Sequence, residues 1–297
     1  MRKIDDLTQL LLNFTRGDGV FKTPIPRVSI IRSSMPTASE LVLYEPAICV
    51  VAQGVKEARL GDKTYQYDSS HYLLGSMRLP VFGSVIKASK NSPYLCLRLD
   101  LDPVLVAESI EQCNVVFNDT GSPRSLKLGT MDKQLVDTVV RLAENIQSPE
   151  NIPVLFPLVE KELIWRLLQS SQSHFVLAQM VTAGSQLRRI RKAMVWLEEH
   201  FAESISTKVL ADIANMGQSS FHKHFKMVTG TSPIYFRSQL RLMAARRLMV
   251  VDGFDAAEAG FAVGYKEPSQ FSREYSKQFG LPPKHDSLRI KSGTRFW

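Results

Sequence analysis

The chain has 297 residues, 44% apolar and 22% charged, a globular composition with core material for two domains. It has no run of about 18 apolar residues, which excludes a membrane-spanning helix. The net charge of +8 resides in residues 175–297, where 18 Lys and Arg face 10 Asp and Glu, while residues 1–174 hold 19 of each and cancel. A basic half beside a neutral half points to a polyanion-binding module joined to something else.

From the N-terminus, "MRKIDDLTQLLLNFTRGDG" places acidic residues before a short apolar run, against a signal peptide. The cysteines Cys49, Cys96 and Cys113 are odd in number, scattered and in apolar surroundings. They read as free thiols of a cytoplasmic protein. Residues 25–101 carry short β-rich runs, "ELVLYEPAICVVAQG", "EARLGDKTYQYDSSHYLLG", "PVFGSVIKAS" and "YLCLRLDL", separated by turn formers. Several short strands at near-regular spacing predict a small antiparallel barrel or sandwich able to hold one small ligand. Tyr44, Gln53, Tyr65, Tyr72 and Arg98 are the polar candidates for its lumen.

After Asp102 the spacing turns helical. "DPVLVAESIEQCN" sets Val104, Leu105, Ala107 and Ile110 at helix intervals, and Leu135, Val139, Leu142 and Ile146 form one stripe of a second helix. "PVLFPLVEKELIWRLLQS" is apolar around much of its girth, which suits burial against the barrel or a second subunit. Residues 170–185 hold the expected junction between domains at 1–180 and 186–297.

Everything beyond reads as helix. "LRRIRKAMVWLEEHFAE" is amphipathic, Ser206 and Thr207 offer an N-cap for "STKVLADIAN", and "YFRSQLRLMAARRLMVV" places Leu240, Ala244, Leu248 and Val251 on one face. Around that long helix one pattern occurs twice, "SSFHKHFKMVTGTSP" and "SQFSREYSKQFGLPP". Each copy follows a short helix and a Gly-containing turn, which is the helix-turn-helix plan. Phe221, Phe225 and Val228 in one copy, and Phe271, Tyr275 and Phe279 in the other, recur at core spacing. Ser219, His222, Lys223, Ser269, Ser272 and Arg273 fall on other faces, near the start of each second helix, where side chains reach base edges. Ser220, Lys226, Gln270 and Lys277 are placed to meet phosphates. His222 and His224 lie two apart, about 200° around a helix, so no shared metal ion is expected.

The stretches "SPIYFRSQLRLMAARRLM" and "VGYKEPSQFSREYSKQFGLPP" resemble the C-terminal DNA-binding domain of the AraC family of bacterial transcription regulators. "LYEPAICVVAQGVKEARLGDKTYQYDSSHYLLGSMRLPV" is similar to the cupin-like sensor domain of one branch of that family. The resemblance implies a two-domain α+β chain: an N-terminal cupin-like β-barrel with following helices, then an all-α domain with two helix-turn-helix units. It implies a sequence-specific regulator whose partners are double-stranded DNA, RNA polymerase, a small-molecule effector and a second copy joined through the N-terminal domain. No cofactor, metal or enzymatic activity is expected from the residues themselves. Two departures stand out: the small pair Ala259-Gly260 predicts a looser first helix in the second unit, and "PPKHDS" replaces the Pro-x-x-Tyr-Arg pattern that "PIYFR" keeps in the first.

A linking helix over residues 235–251 would run about 25 Å at 1.5 Å per residue. That suits two recognition helices about 34 Å apart on one face of the duplex. The readings left standing beside this one are an architectural DNA-binding protein without ligand control and a cupin-type enzyme fused to a DNA-binding domain. The second is weakened because His71 is the only histidine of the barrel region.

Overall fold

The computed structural model describes residues 3–112, 125–181 and 186–292; Cys113 and part of the expected domain junction lie outside them. The chain opens with α1 (Ile4–Phe14), followed by nine strands: β1 (Gly19–Lys22), β2 (Val28–Ser33), β3 (Glu40–Tyr44), β4 (Ala47–Gln53), β5 (Val55–Leu60), β6 (Lys63–Tyr67), β7 (His71–Gly75), β8 (Leu79–Lys87) and β9 (Tyr94–Asp100). Then come α2 (Pro103–Gln112), β10 (Leu126–Thr130), α3 (Lys133–Glu144), α4 (Ile152–Gln169) and α5 (His174–Val181). The strands form two antiparallel sheets, ordered β1-β2-β9-β4-β7-β10 and β3-β8-β5-β6.

Strand alternation sorts the side chains of the larger sheet. Ile30, Ile48, Val50, Leu95, Leu97 and Leu99 point outward into a core shared with α1 to α5. Ile31, Val51, Leu73, Cys96 and Leu126 point inward toward the smaller sheet. β10 was not expected from the sequence, because it lies within the stretch read as helical. It pairs with β7 from Leu126↔Gly75 to Thr130↔His71.

Among the helices, the stripe of α3 and its continuation is buried as expected at Leu135, Val139, Leu142 and Ile146. In α2 the phase differs: Val104 is exposed and Val106 takes the buried position. In α4, Phe156, Val159, Leu163, Ile164 and Leu167 pack inward while Val154, Leu155, Leu158 and Trp165 remain exposed. The expected junction is partly helix, since α5 buries Val176, Leu177 and Met180 in the core of the sheet domain.

The C-terminal domain comprises α6 (Gln186–His200), α7 (Thr207–Ile213), α8 (Gln218–Thr229), α9 (Pro233–Arg247), α10 (Ala256–Ala262), α11 (Pro268–Phe279) and α12 (Pro283–Ser292). The linking helix is α9, which starts at Pro233 and ends in a π turn, Leu248–Asp252. Of the expected stripe, Leu240 is buried and Ala244 and Leu248 pack partly buried against the core, while Val251, in the π turn, is exposed; Phe236, Leu242 and Ala245 are buried as well.

Contacts between the domains include a shared apolar cluster, in which Ile190, Met194, Leu197 and the core of α8 join the inward-facing residues of the barrel. Arg78 also reaches Glu198 of α6 at 3.0 Å and Glu45 at 2.8 Å. At another contact, Glu40 of β3 meets Arg246 at 3.7 Å and Arg289 at 3.3 Å.

Candidate nucleic-acid interface

Each repeat folds as two helices around a tight turn. Ser206 caps α7 by accepting from the Val209 amide, and Asn215 turns the chain with φ of 50° before α8. Asp255 caps α10 reciprocally: its carboxylate accepts from the Glu258 amide at 2.8 Å, and Glu258 accepts from the Asp255 amide at 3.0 Å. α8 and α11 both end on a left-handed glycine, Gly230 and Gly280.

The aromatic positions form the two cores. Phe221, Phe225 and Phe236 stack edgewise or tilted at 5.4 and 5.5 Å between centroids, and Phe271, Tyr275 and Phe279 do so at 5.4 and 4.6 Å. The small Ala259-Gly260 pair does not loosen the second unit, which corrects the expectation. Ala259 is fully buried, and a Cβ on Gly260 would stand 3.0 Å from the Phe271 ring. The helices are close-packed there, and the missing side chain is what lets Phe271 in.

With the aromatic faces buried, the other faces are presented outward. Ser219, Ser220, His222, Lys223 and Lys226 of α8 are exposed, as are Ser269, Gln270, Arg273 and Lys277 of α11; Ser272 is half-buried. Of the second helix's expected DNA-facing side chains, Gln270 is already engaged, whereas Ser272 is bonded through its backbone. The Gln270 amide donates to Glu274 at 3.0 Å, and the Ser272 carbonyl accepts from Ser276 at 2.8 Å.

Glu274 also accepts from Tyr265 at 2.8 Å and from Ser238 at 3.1 Å, pinning α11 to its turn and to α9. Burial opposes its charge, but these hydrogen bonds outweigh burial and hold its pKa below the usual carboxylate value. The same burial, with Glu274 beside it, pushes Tyr265 up to about 12.

Asp286 stands where "PPKHDS" departs from the first copy. Its carboxylate, 0% exposed, takes Arg246 at 2.8 Å, Arg289 at 2.9 Å and the Tyr275 hydroxyl at 2.8 Å. Burial works to raise its pKa, and the two guanidinium groups and the phenol overcome it, leaving the carboxyl below its ordinary range. The structural roles of Glu274 and Asp286 were not expected from the sequence. The signal was present only as acidic residues on otherwise basic helices.

The two outward faces have different surroundings. Lys223 and Lys226 line a cleft of about 330 Å³ with Asp62, Lys63 and Tyr65 of the β5–β6 hairpin. Ser125 donates to the Val228 carbonyl at 2.7 Å, and the backbones of Gly61 and Gly230 are in contact. Among the described residues no hydrogen bond or ion pair engages the Arg273 guanidinium.

Of the residues expected in the barrel lumen, Tyr44 and Arg98 line a cavity of about 180 Å³, together with Cys49 and Lys56. Tyr72 does not: it points into the helix-facing core, 0% exposed, with its hydroxyl 2.6 Å from Ser173. Gln53, next to a bulge in β4, donates to the Pro93 carbonyl at 2.8 Å. Tyr65 lines the cleft beside α8 instead. Lys56, missed in the sequence, alternates with the inward Ala58 and Leu60 and could have been found by that phase. The Cys49 thiol is lowered to about 7 by its hydrogen bond to Cys96 and by the Arg98 and Lys56 cations, against the effect of burial.

A two-sheet barrel followed by a domain with two helix-turn-helix units defines a class of DNA-binding protein with an appended sensor-type domain. Residues 24–175 match the model of the AraC-type transcriptional regulator N-terminus, and residues 210–287 match that of a helix-turn-helix domain. The chain belongs to the AraC family of transcription regulators. Among curated proteins it is similar to the HTH-type transcriptional activator RhaS of Salmonella schwarzengrund, 27% identical over 51% of each chain. It is also similar to RhaS of Enterobacter sp. strain 638, 29% identical over 32% of this chain and 34% of that one. The chain thus spans about half or less of these relatives' lengths. Its fold is similar to that of ToxT from Vibrio cholerae strain SCE256 with a bound unsaturated fatty acid. The TM-score is 0.57 at 11% identity, over 95% of this chain and 99% of that one.

Proposed function

We propose that the chain is a sequence-specific DNA-binding transcription regulator whose barrel takes a small effector. The observation that carries this reading is the doubled recognition helix, with aromatic faces buried and polar faces outward in the basic half of the chain. Ser219, His222, Lys223, Ser269, Ser272 and Arg273 then read bases, Arg273 by a bidentate contact to guanine. Ser220, Lys226 and Lys277 meet phosphates, and Gln270 does so on release from Glu274. Tyr44 and Arg98 contact the effector. ToxT, with the same fold, holds a fatty acid, which favours a small molecule here as well.

Pairing of two chains through the exposed Val154, Leu155, Leu158 and Trp165 of α4, and contact with RNA polymerase, belong to the same reading. So do a cytoplasmic location and the lack of a catalytic centre. His71, the barrel histidine, lies at the surface beside Asp68 at 3.2 Å. The test is selection from a random duplex library, followed by salt-matched titration of the recovered and a scrambled site. The reading expects about 10³-fold or more preference for the recovered site; equal affinity for both overturns it.

A further inference from the structure

The barrel interior holds polar groups that neither the core nor the domain interface explains. Lys56 of β5 is only 3% exposed and stands directly across from Tyr67 of β6, so both side chains share one face. On the opposing sheet Arg98 of β9 stands directly across from Cys49 of β4, again on one face and with Cys96 two residues along. The two faces look at each other across the cavity of about 180 Å³. Tyr44 lines that cavity, and Tyr67, although not on its wall, neighbours Tyr44 and Cys49; among the described residues neither hydroxyl has a hydrogen-bond partner, and that of Tyr94 has only the weakly accepting Cys96 sulfur beside it. An unmatched buried hydroxyl is costly, so those at and beside this cavity form a set of donors awaiting an acceptor.

Two cations and converging phenols are donors aimed inward. Arg98 already holds Asp100 at 2.7 Å and Lys56 lies over the Tyr44 ring at 5.5 Å, while Glu45 is taken by Arg78 at 2.8 Å. The remaining wall is apolar, including Ile31, Leu43, Leu73 and Leu126. We infer that the effector is a small organic monocarboxylate. Its oxygens would accept from Lys56, Arg98, Tyr44 and Tyr67, and its apolar body, on the scale of one ring or a short chain, would lie against Leu73 and Leu126. Cys49 sits among the same cations, so its thiolate competes with the ligand, and affinity falls as pH rises through about 7. The groups around that thiol are Tyr94, Cys96, Arg98 and Asp100 on β9, Lys56 on β5, Tyr67 on β6 and, across the same cavity wall, Tyr44 on β3.

This inference rests on the barrel being the effector domain and is independent of whether the recognition helices read sequence. It is tested by calorimetric titration of the full chain at about pH 6 with benzoate, phenylacetate and hexanoate, each against its amide. At least one acid should bind ten-fold or more tighter than its amide. Lys56→Met should weaken that acid ten-fold or more, as expected for loss of a charge-assisted hydrogen bond. Tyr67→Phe should weaken it several-fold while leaving the melting temperature unchanged or higher, because the hydroxyl removed has no partner in the fold. Equal binding of acids and amides, or of neither, by folded protein overturns the inference. So does a Tyr67→Phe variant with altered stability and unaltered affinity. Failure to select a DNA site, with acid binding intact, would overturn the regulatory reading alone.

Discussion

The first helix-turn-helix unit shares its hydrophobic core with the barrel, whereas the second has a small core of its own. Phe221, Phe225 and Val228 belong to the cluster that contains Leu60, Tyr67 and Leu126 of the sheets. Phe271 and Tyr275 pack in a cluster built mainly from α9 to α11 and the adjoining turns, with Phe201 at its edge, and buried carboxylates supply further support. A repeated motif has therefore been stabilised in two ways. Apolar continuity couples the first recognition helix to the sensor domain, while the polar Glu274 and Asp286 networks let the second hold its shape with its outer face unobstructed.

The comparison breaks most sharply at Asp286. Asp286→Ala leaves Arg246, Arg289 and the Tyr275 hydroxyl without their common acceptor. It should cost about 3–5 kcal/mol, the usual penalty for removing one partner of a buried ion pair. Hydrogen exchange should show the loss over residues 256–292 and spare 207–229. Because the folded carboxyl titrates below its ordinary value of 3.8, its contribution is complete above that pH and disappears as pH falls through the folded pKa. The variant's stability should accordingly vary less with pH in that acid range than the wild type's, as followed by circular dichroism.

Next in size is Gly260→Ala, which places a methyl against the Phe271 ring and should cost about 1–3 kcal/mol by chemical denaturation. A stability equal to wild type would show that the second unit is as loose as its small residues suggest. On DNA, Arg273→Ala should lose about 1–3 kcal/mol and relax preference at one base position, with a smaller loss for Lys223→Ala, whose side chain shares the cleft with the barrel hairpin. Competition of the two variants on the selected site measures both. Equal losses would remove the difference in exposure as an explanation. The smallest effect belongs to Ser125→Ala, which removes the 2.7 Å bond to Val228 and should lower stability by about 0.5–1.5 kcal/mol in a thermal melt.

The doubled unit was legible because its signals are local: aromatic spacing, caps and turns lie within a few residues of one another. The barrel was legible as strands but not in phase. Tyr72 and Lys56 show why. A period of two states that neighbours face opposite ways without saying which way is inward, and the bulge between Val51 and Gln53 resets the count within β4. β10 escaped because five residues between helical stretches become a strand only by pairing with β7, a partner some fifty positions away. The Ala259-Gly260 pair was misjudged for a related reason: a small residue reads as missing contact until the ring that approaches it, Phe271, is known.

The π turn at Leu248–Asp252 sets an angle as well as a length. An α-helix advances about 100° per residue, so each residue gained or lost in that turn rotates α10 and α11 about the axis of α9 by roughly that amount. Arg273 would then travel around the duplex from the groove toward the sugar-phosphate wall. If the two units read DNA as proposed, the five residues of the wide turn would set the phase between protein helix and DNA helix, and with it the spacing of the two half-sites in a target.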